Sequence, residues 1–135
     1  MKKLLIALTC LSFAGCASNP AVYDSTSQNY RPKGQDLPLQ IKGRLIHQKN
    51  LLSSDYAVVF TVDNEFSLGF QLDNSGNGSM SCTSAIESEN GQTVCHPHNN
   101  NPIGANCIGS TVNGKLAGAQ CTFTYNNEIA ANFKF

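Results

Sequence analysis

Beyond residue 37, hydrophobic and polar residues alternate with period two along most of the chain. Leu37, Leu39, Ile41 and Leu45 fall on one face, with Gln40, Lys42 and Arg44 on the other. Tyr56, Val58, Phe60 and Val62 repeat the pattern, followed by Phe66, Leu68, Phe70 and Leu72. Later come Ala117, Ala119, Cys121, Phe123 and Tyr125, then Ile129, Ala131, Phe133 and Phe135. Successive side chains of an extended chain point to opposite faces, so sustained alternation predicts half-buried antiparallel strands. Residues that reverse a chain separate the runs: Asp63-Asn64, Asp73 to Gly78, Asn90-Gly91, Asn113-Gly114 and Asn126-Asn127. The only helical expectation here is one short turn over Lys49 to Asp55. Seven to eight short strands in about 100 residues predict an all-β domain over residues 37–135, a small antiparallel β-sandwich or β-barrel.

The start of the chain follows a different pattern. Met1-Lys2-Lys3 is basic, and Leu4 to Phe13 is an apolar run broken only by Thr9 and Ser12. A membrane-crossing helix takes about 20 residues, so this run is too short to span and reads as a signal h-region. It ends in Phe13-Ala14-Gly15-Cys16. The segment resembles the signal of bacterial lipoproteins, in which a small-residue pair precedes a cysteine that is acylated and becomes the first mature residue. Phe13 stands where that family usually has Leu, one bulky apolar side chain for another. The resemblance implies loss of residues 1–15 and lipidation, including palmitate, at Cys16. Ala17 in place of Asp after the cysteine implies the outer membrane, with the domain facing the periplasm. One acyl chain holds a protein to a bilayer only marginally, at about 0.8 kcal/mol per buried CH₂, whereas the three chains of this family anchor it durably.

Residues 16–36 contain Pro20, Pro32 and Gly34 and show no apolar periodicity, which predicts a flexible tether. As a coil it would have an end-to-end distance of roughly 25 Å. A docking peptide using Tyr23 and Tyr30 is the functional alternative for this stretch. Charge adds an exclusion. The 135-residue chain has 9 basic and 9 acidic residues and is 13% charged. Loss of Lys2 and Lys3 with the leader leaves a net charge near −2, without the basic footprint that nucleic-acid binding needs.

Six cysteines remain to be placed. Cys10 leaves with the leader and Cys16 carries lipid, which leaves Cys82, Cys95, Cys107 and Cys121. An even number in an exported chain predicts two disulfides. Zinc is disfavoured because no Cys-x-x-Cys pair occurs. Three connectivities are open. A two-residue hairpin at Asn113-Gly114 in unbroken register places Cys107 opposite Gln120, on the face away from Cys121. Ile108 and Val112 then share the core face with Ala117, Ala119 and Cys121. That register favours Cys82–Cys121 within the core and Cys95–Cys107 closing the loop between them.

Candidate chemistry is thin. His96-Pro97-His98 follows Cys95, and histidines at i and i+2 of an extended segment are a possible copper or zinc pair. No carboxylate ligand lies nearby in sequence, and thiolate catalysis at Cys95–His96 would need a free thiol. Asp73-Asn74-Ser75-Gly76-Asn77-Gly78 mimics the start of a calcium loop, but Ser84 occupies the position of the bidentate Glu. No Gly-x-Ser-x-Gly, phosphate loop or dinucleotide fingerprint is present. These observations predict no enzyme and no cofactor. They point to non-catalytic binding of an envelope protein, peptidoglycan or a ligand, with the loop from His96 to Asn106, and His96, His98, Asn99, Asn100 and Asn101 in particular, as the contact surface. Inhibition of a host or rival hydrolase and metal handling through His96 and His98 are the alternatives.

Overall fold

The computed structural model describes residues 20–49, 54–89, 91 and 93–135. The signal segment, Cys16, residues 50–53 of the expected helical turn and Asn90 lie outside the described residues. Within them the chain is all β, with eleven strands in two antiparallel sheets. The first sheet contains β1 (Ala21–Asp24), β2 (Gln28–Tyr30), β3 (Leu39–Lys49), β4 (Ser54–Val62), β5 (Glu65–Leu72), β7 (Ile86–Glu87) and β8 (Thr93–Cys95). It runs in the order β1-β3-β4-β5-β8-β7, with β2 beside β1 on the outer edge of β3. The second sheet, in the order β11-β10-β9-β6, contains β6 (Gly78–Cys82), β9 (Ile103–Val112), β10 (Lys115–Tyr125) and β11 (Glu128–Lys134). The two sheets enclose one core and form a sandwich.

The core follows the alternation. Leu39, Ile41 and Leu45 of β3 and Val58, Phe60 and Val62 of β4 are buried against Phe123, Tyr125, Ala131 and Phe133 of the facing sheet. Phe60 sits at the centre, its ring centroid 5.4 Å from that of Phe123 and 5.7 Å from that of Phe133. Full burial of side chains of this size contributes about 1.5–3 kcal/mol each, which makes this cluster the main source of stability.

Three hairpins share one irregularity. Their two-residue turns, Asp63-Asn64, Asn113-Gly114 and Asn126-Asn127, have positive φ at both positions. Paired turns of this hand match the right-handed twist of the flanking strands. In each hairpin the third residue after the turn then has no partner: Ser67, Ala117 and Ala130 are skipped in the pairing. Each is a one-residue bulge, and a bulge turns every later side chain to the other face. Phe66 and Ile129, expected in the core, therefore face solvent, at 38% and 64% exposure.

The Ala117 bulge also corrects the disulfide expectation. Next to the turn, Lys115 pairs with Val112 and Leu116 with Thr111, in the expected register. Past Ala117 the pairing slips by one residue, so Cys121 lies opposite Cys107 rather than facing away from it. The bridges are Cys107–Cys121, across neighbouring strands, and Cys82–Cys95, which ties β6 of one sheet to β8 of the other. Neither Cys82–Cys121 nor Cys95–Cys107 forms. Ile108 and Val112 are 63% and 62% exposed, outside the core they were expected to join.

The segment expected to be a free tether is largely docked. Ala21 pairs with His47 and Asp24 with Arg44, while Gln28 pairs with Ile41 and Tyr30 with Leu39. Between these strands Ser25 grips Gly43. The Gly43 amide donates to Ser25 Oγ at 2.9 Å, and the Ser25 amide donates to the Gly43 carbonyl at 2.9 Å. Period-two patterning does not reveal an edge strand of this kind, because β1 is exposed along its whole length. Gln28 extends the closure to the other sheet: its side-chain amide donates to the Asn132 carbonyl and accepts from the Asn132 amide. One side chain thus replaces a backbone ladder rung where the edges of the sheets meet.

Candidate functional site

The strands define two ends of the sandwich. At one end lie the turns Asp63-Asn64, Asn99-Asn100 and Asn126-Asn127, together with Pro32 to Gln35. At the other lie the end of β3, the start of β1, the 73–77 connection and the Asn113-Gly114 turn.

The first end holds the residues expected to form a contact surface, but in a different form. The stretch from His96 to Asn106 is not a long loop. His98 pairs with Asn101 around Asn99 and Asn100, both at positive φ, and β9 begins at Ile103. Asn tolerates the left-handed region better than other non-glycine residues, and three consecutive Asn supply the tight reversal. The Asn101 side-chain amide donates to the buried Tyr125 hydroxyl at 2.7 Å, so Asn101 holds the turn against the core. His96, Asn99 and Asn100 are exposed.

The two histidines do different things. His96 is exposed and anchored through its backbone amide, which donates to the Ser67 carbonyl at 2.8 Å. His98 turns inward beside Tyr125, its Nε2 3.7 Å from Asp63 Oδ2, buried and without a hydrogen-bond partner. Among the described residues no group of three His, Cys, Asp or Glu side chains is placed to hold a metal ion. The calcium-like segment is occupied by its own backbone: Asp73 Oδ1 accepts from the amides of Ser75 and Asn77.

A polar cluster at this end was not legible in the sequence. Tyr30 OH donates to Glu128 Oε2 at 2.9 Å, and Lys33 Nζ lies 3.1 Å from Glu128 Oε1. The hydrogen bond from Lys33, then that from Tyr30, holds the Glu128 carboxyl below its ordinary pKa, and the same carboxylate pushes the Tyr30 phenol up. Tyr30 and Lys33 lie nearly 100 positions before Glu128, and no local pattern joins them.

The opposite end opens into a cleft of about 850 Å³ between the sheets. Tyr23, His47, Tyr56, Lys115, Leu116 and Phe135 line it. The His47 and Tyr56 rings stack with centroids 4.3 Å apart, and His47 Nε2 is buried with no hydrogen-bond partner. The alternation marked Tyr56 and Phe135 as inward-facing, and β1, paired with β3, adds Tyr23 to the lining.

Comparison with known proteins gives no further guide: no family model, curated protein or solved structure matches the chain.

Proposed function

We propose that the chain is an outer-membrane lipoprotein, anchored through Cys16, whose sandwich binds an envelope protein or polymer without catalysing a reaction. The observation that carries this reading is the use of its cysteines. Cys16 stands at the end of a lipoprotein-like signal, and the other four mature cysteines are buried in two bridges. Such an arrangement suits an oxidising compartment beyond the inner membrane. The end bearing His96, Asn99 and Asn100 is the contact surface, because tight turns on a rigid sheet present polar groups with little ordering on binding.

The test is photocrosslinking in living cells followed by mass spectrometry. A chain carrying His96→Ala, Asn99→Gly and Asn100→Gly keeps the positive-φ turn and the Asn101–Tyr125 hydrogen bond while removing the exposed groups. Loss of a crosslinked partner supports this surface; undiminished capture refutes it. Absence of acyl groups on Cys16 in the mass spectrum of the native protein refutes the anchor.

A further inference from the structure

We infer that the cleft end of the sandwich is a membrane-docking face, held against a phospholipid surface by the short chain that precedes β1. This rests on the reading of Cys16 as the lipidated residue. Ala21 pairs with His47 near the end of β3, so the chain enters the domain beside the cleft. Five residue steps separate Cys16 from Ala21, and a fully extended chain spans at most about 18 Å over them. A free tether from residue 16 to 36 would let the domain turn either end to the bilayer; docking of β1 and β2 removes that freedom.

The length of the domain makes the consequence geometric. β3 has 11 residues from Leu39 to Lys49, about 33 Å at the rise of a β-strand. The end bearing Asp63-Asn64 and Asn126-Asn127 lies about that much farther along the strands, so Cys16 in the bilayer brings the cleft end to the surface first. Its side chains suit that position. Val22, Tyr23 and Val112 are 46%, 52% and 62% exposed. Tyrosine favours the headgroup level of a bilayer. Lys115 also lines the cleft, and its flexible stem can carry the ammonium to headgroup level. The same placement turns His96, Asn99 and Asn100 away from the membrane.

The chain contains no tryptophan, so one introduced indole reports its own surroundings. Val112→Trp marks the cleft end and Glu65→Trp the opposite one; both positions are exposed. Full-length lipidated protein is reconstituted in phosphatidylethanolamine–phosphatidylglycerol vesicles whose acyl chains are brominated near the headgroups, and acylation of Cys16 is checked by mass spectrometry on the same sample. Loss of indole emission in Val112→Trp, with emission retained in Glu65→Trp, is the expected result. With Cys16 acylated, retained emission in Val112→Trp, or equal or greater loss in Glu65→Trp, overturns the docking face while leaving the anchor intact. Retained emission is also the outcome if a protein partner covers this end. An unacylated Cys16 removes the anchor, and the inference falls with it.

Discussion

Cys107 and Cys121 face each other across β9 and β10 because Ala117, a residue that takes no part in the bridge, is left out of the pairing between these strands. Without that bulge, Cys107 would oppose Gln120 and the two sulfurs would point to opposite faces of the sheet. Deletion of Ala117 is therefore expected to leave two free thiols in the purified, denatured protein, measured with a thiol-reactive chromophore. The unaltered protein is expected to show none among its four domain cysteines. Peptide mapping without reduction is expected to recover Cys82–Cys95 and Cys107–Cys121 and neither alternative pairing.

Gln28 closes the seam between the sheets with two hydrogen bonds to the backbone of Asn132. Gln28→Ala leaves both backbone groups of Asn132 without that partner. The expected loss is about 1–3 kcal/mol for two hydrogen bonds at a partly solvated site. Amide exchange followed by mass spectrometry is expected to speed up in the peptide containing Asn132 and to stay unchanged in the one spanning Val58 to Val62.

Gly109 lies under the 73–77 connection, where a Cβ would come within 1.8 Å of the Ser75 carbonyl oxygen. Backbone cannot yield as a side-chain tip can, so Gly109→Ala is expected to destabilise by about 3 kcal/mol, the upper end for overpacking. Gly114→Ala meets no neighbouring atom, but its φ of +73° disfavours a side chain. The expected loss there is about 1–2 kcal/mol. Urea denaturation of the two variants in parallel checks the order.

The Lys33–Glu128–Tyr30 cluster predicts pH dependence at both extremes. Lys33 and Tyr30 hold Glu128 below the ordinary glutamate pKa. Its contribution is therefore complete above the ordinary value of about 4.5 and is lost as pH falls through the lowered one. Tyr30 is shifted the other way, above 10.0, chiefly by its hydrogen bond to Glu128. Its contribution is complete below that value and is lost as pH rises through the raised one. Carboxyl-carbon NMR is expected to show the Glu128 midpoint moving up in Lys33→Ala. Ultraviolet titration is expected to show the Tyr30 phenol ionising at lower pH in Glu128→Gln.

By itself the sequence determined the fold class, the core of β3 and β4, and three of the hairpin turns. Alternation reports which face a side chain takes, and Asn, Asp and Gly report positive φ; both signals are local. It also marked the stretch from His96 to Asn101, although as a loop rather than a tight turn. The tertiary structure decided what depends on counting across strands or on contacts distant in the chain. One unpaired residue in each of three hairpins turned Phe66 and Ile129 to solvent and set the cystine pairing. The edge strand β1 is exposed along its length and β2 has three residues, too few to show a period, so only their pairing with β3 showed that the chain before residue 37 is part of the domain. The Gln28–Asn132 seam, the Tyr30–Glu128 contact and the cleft join residues that local sequence cannot relate, because they meet only when two sheets close over one core.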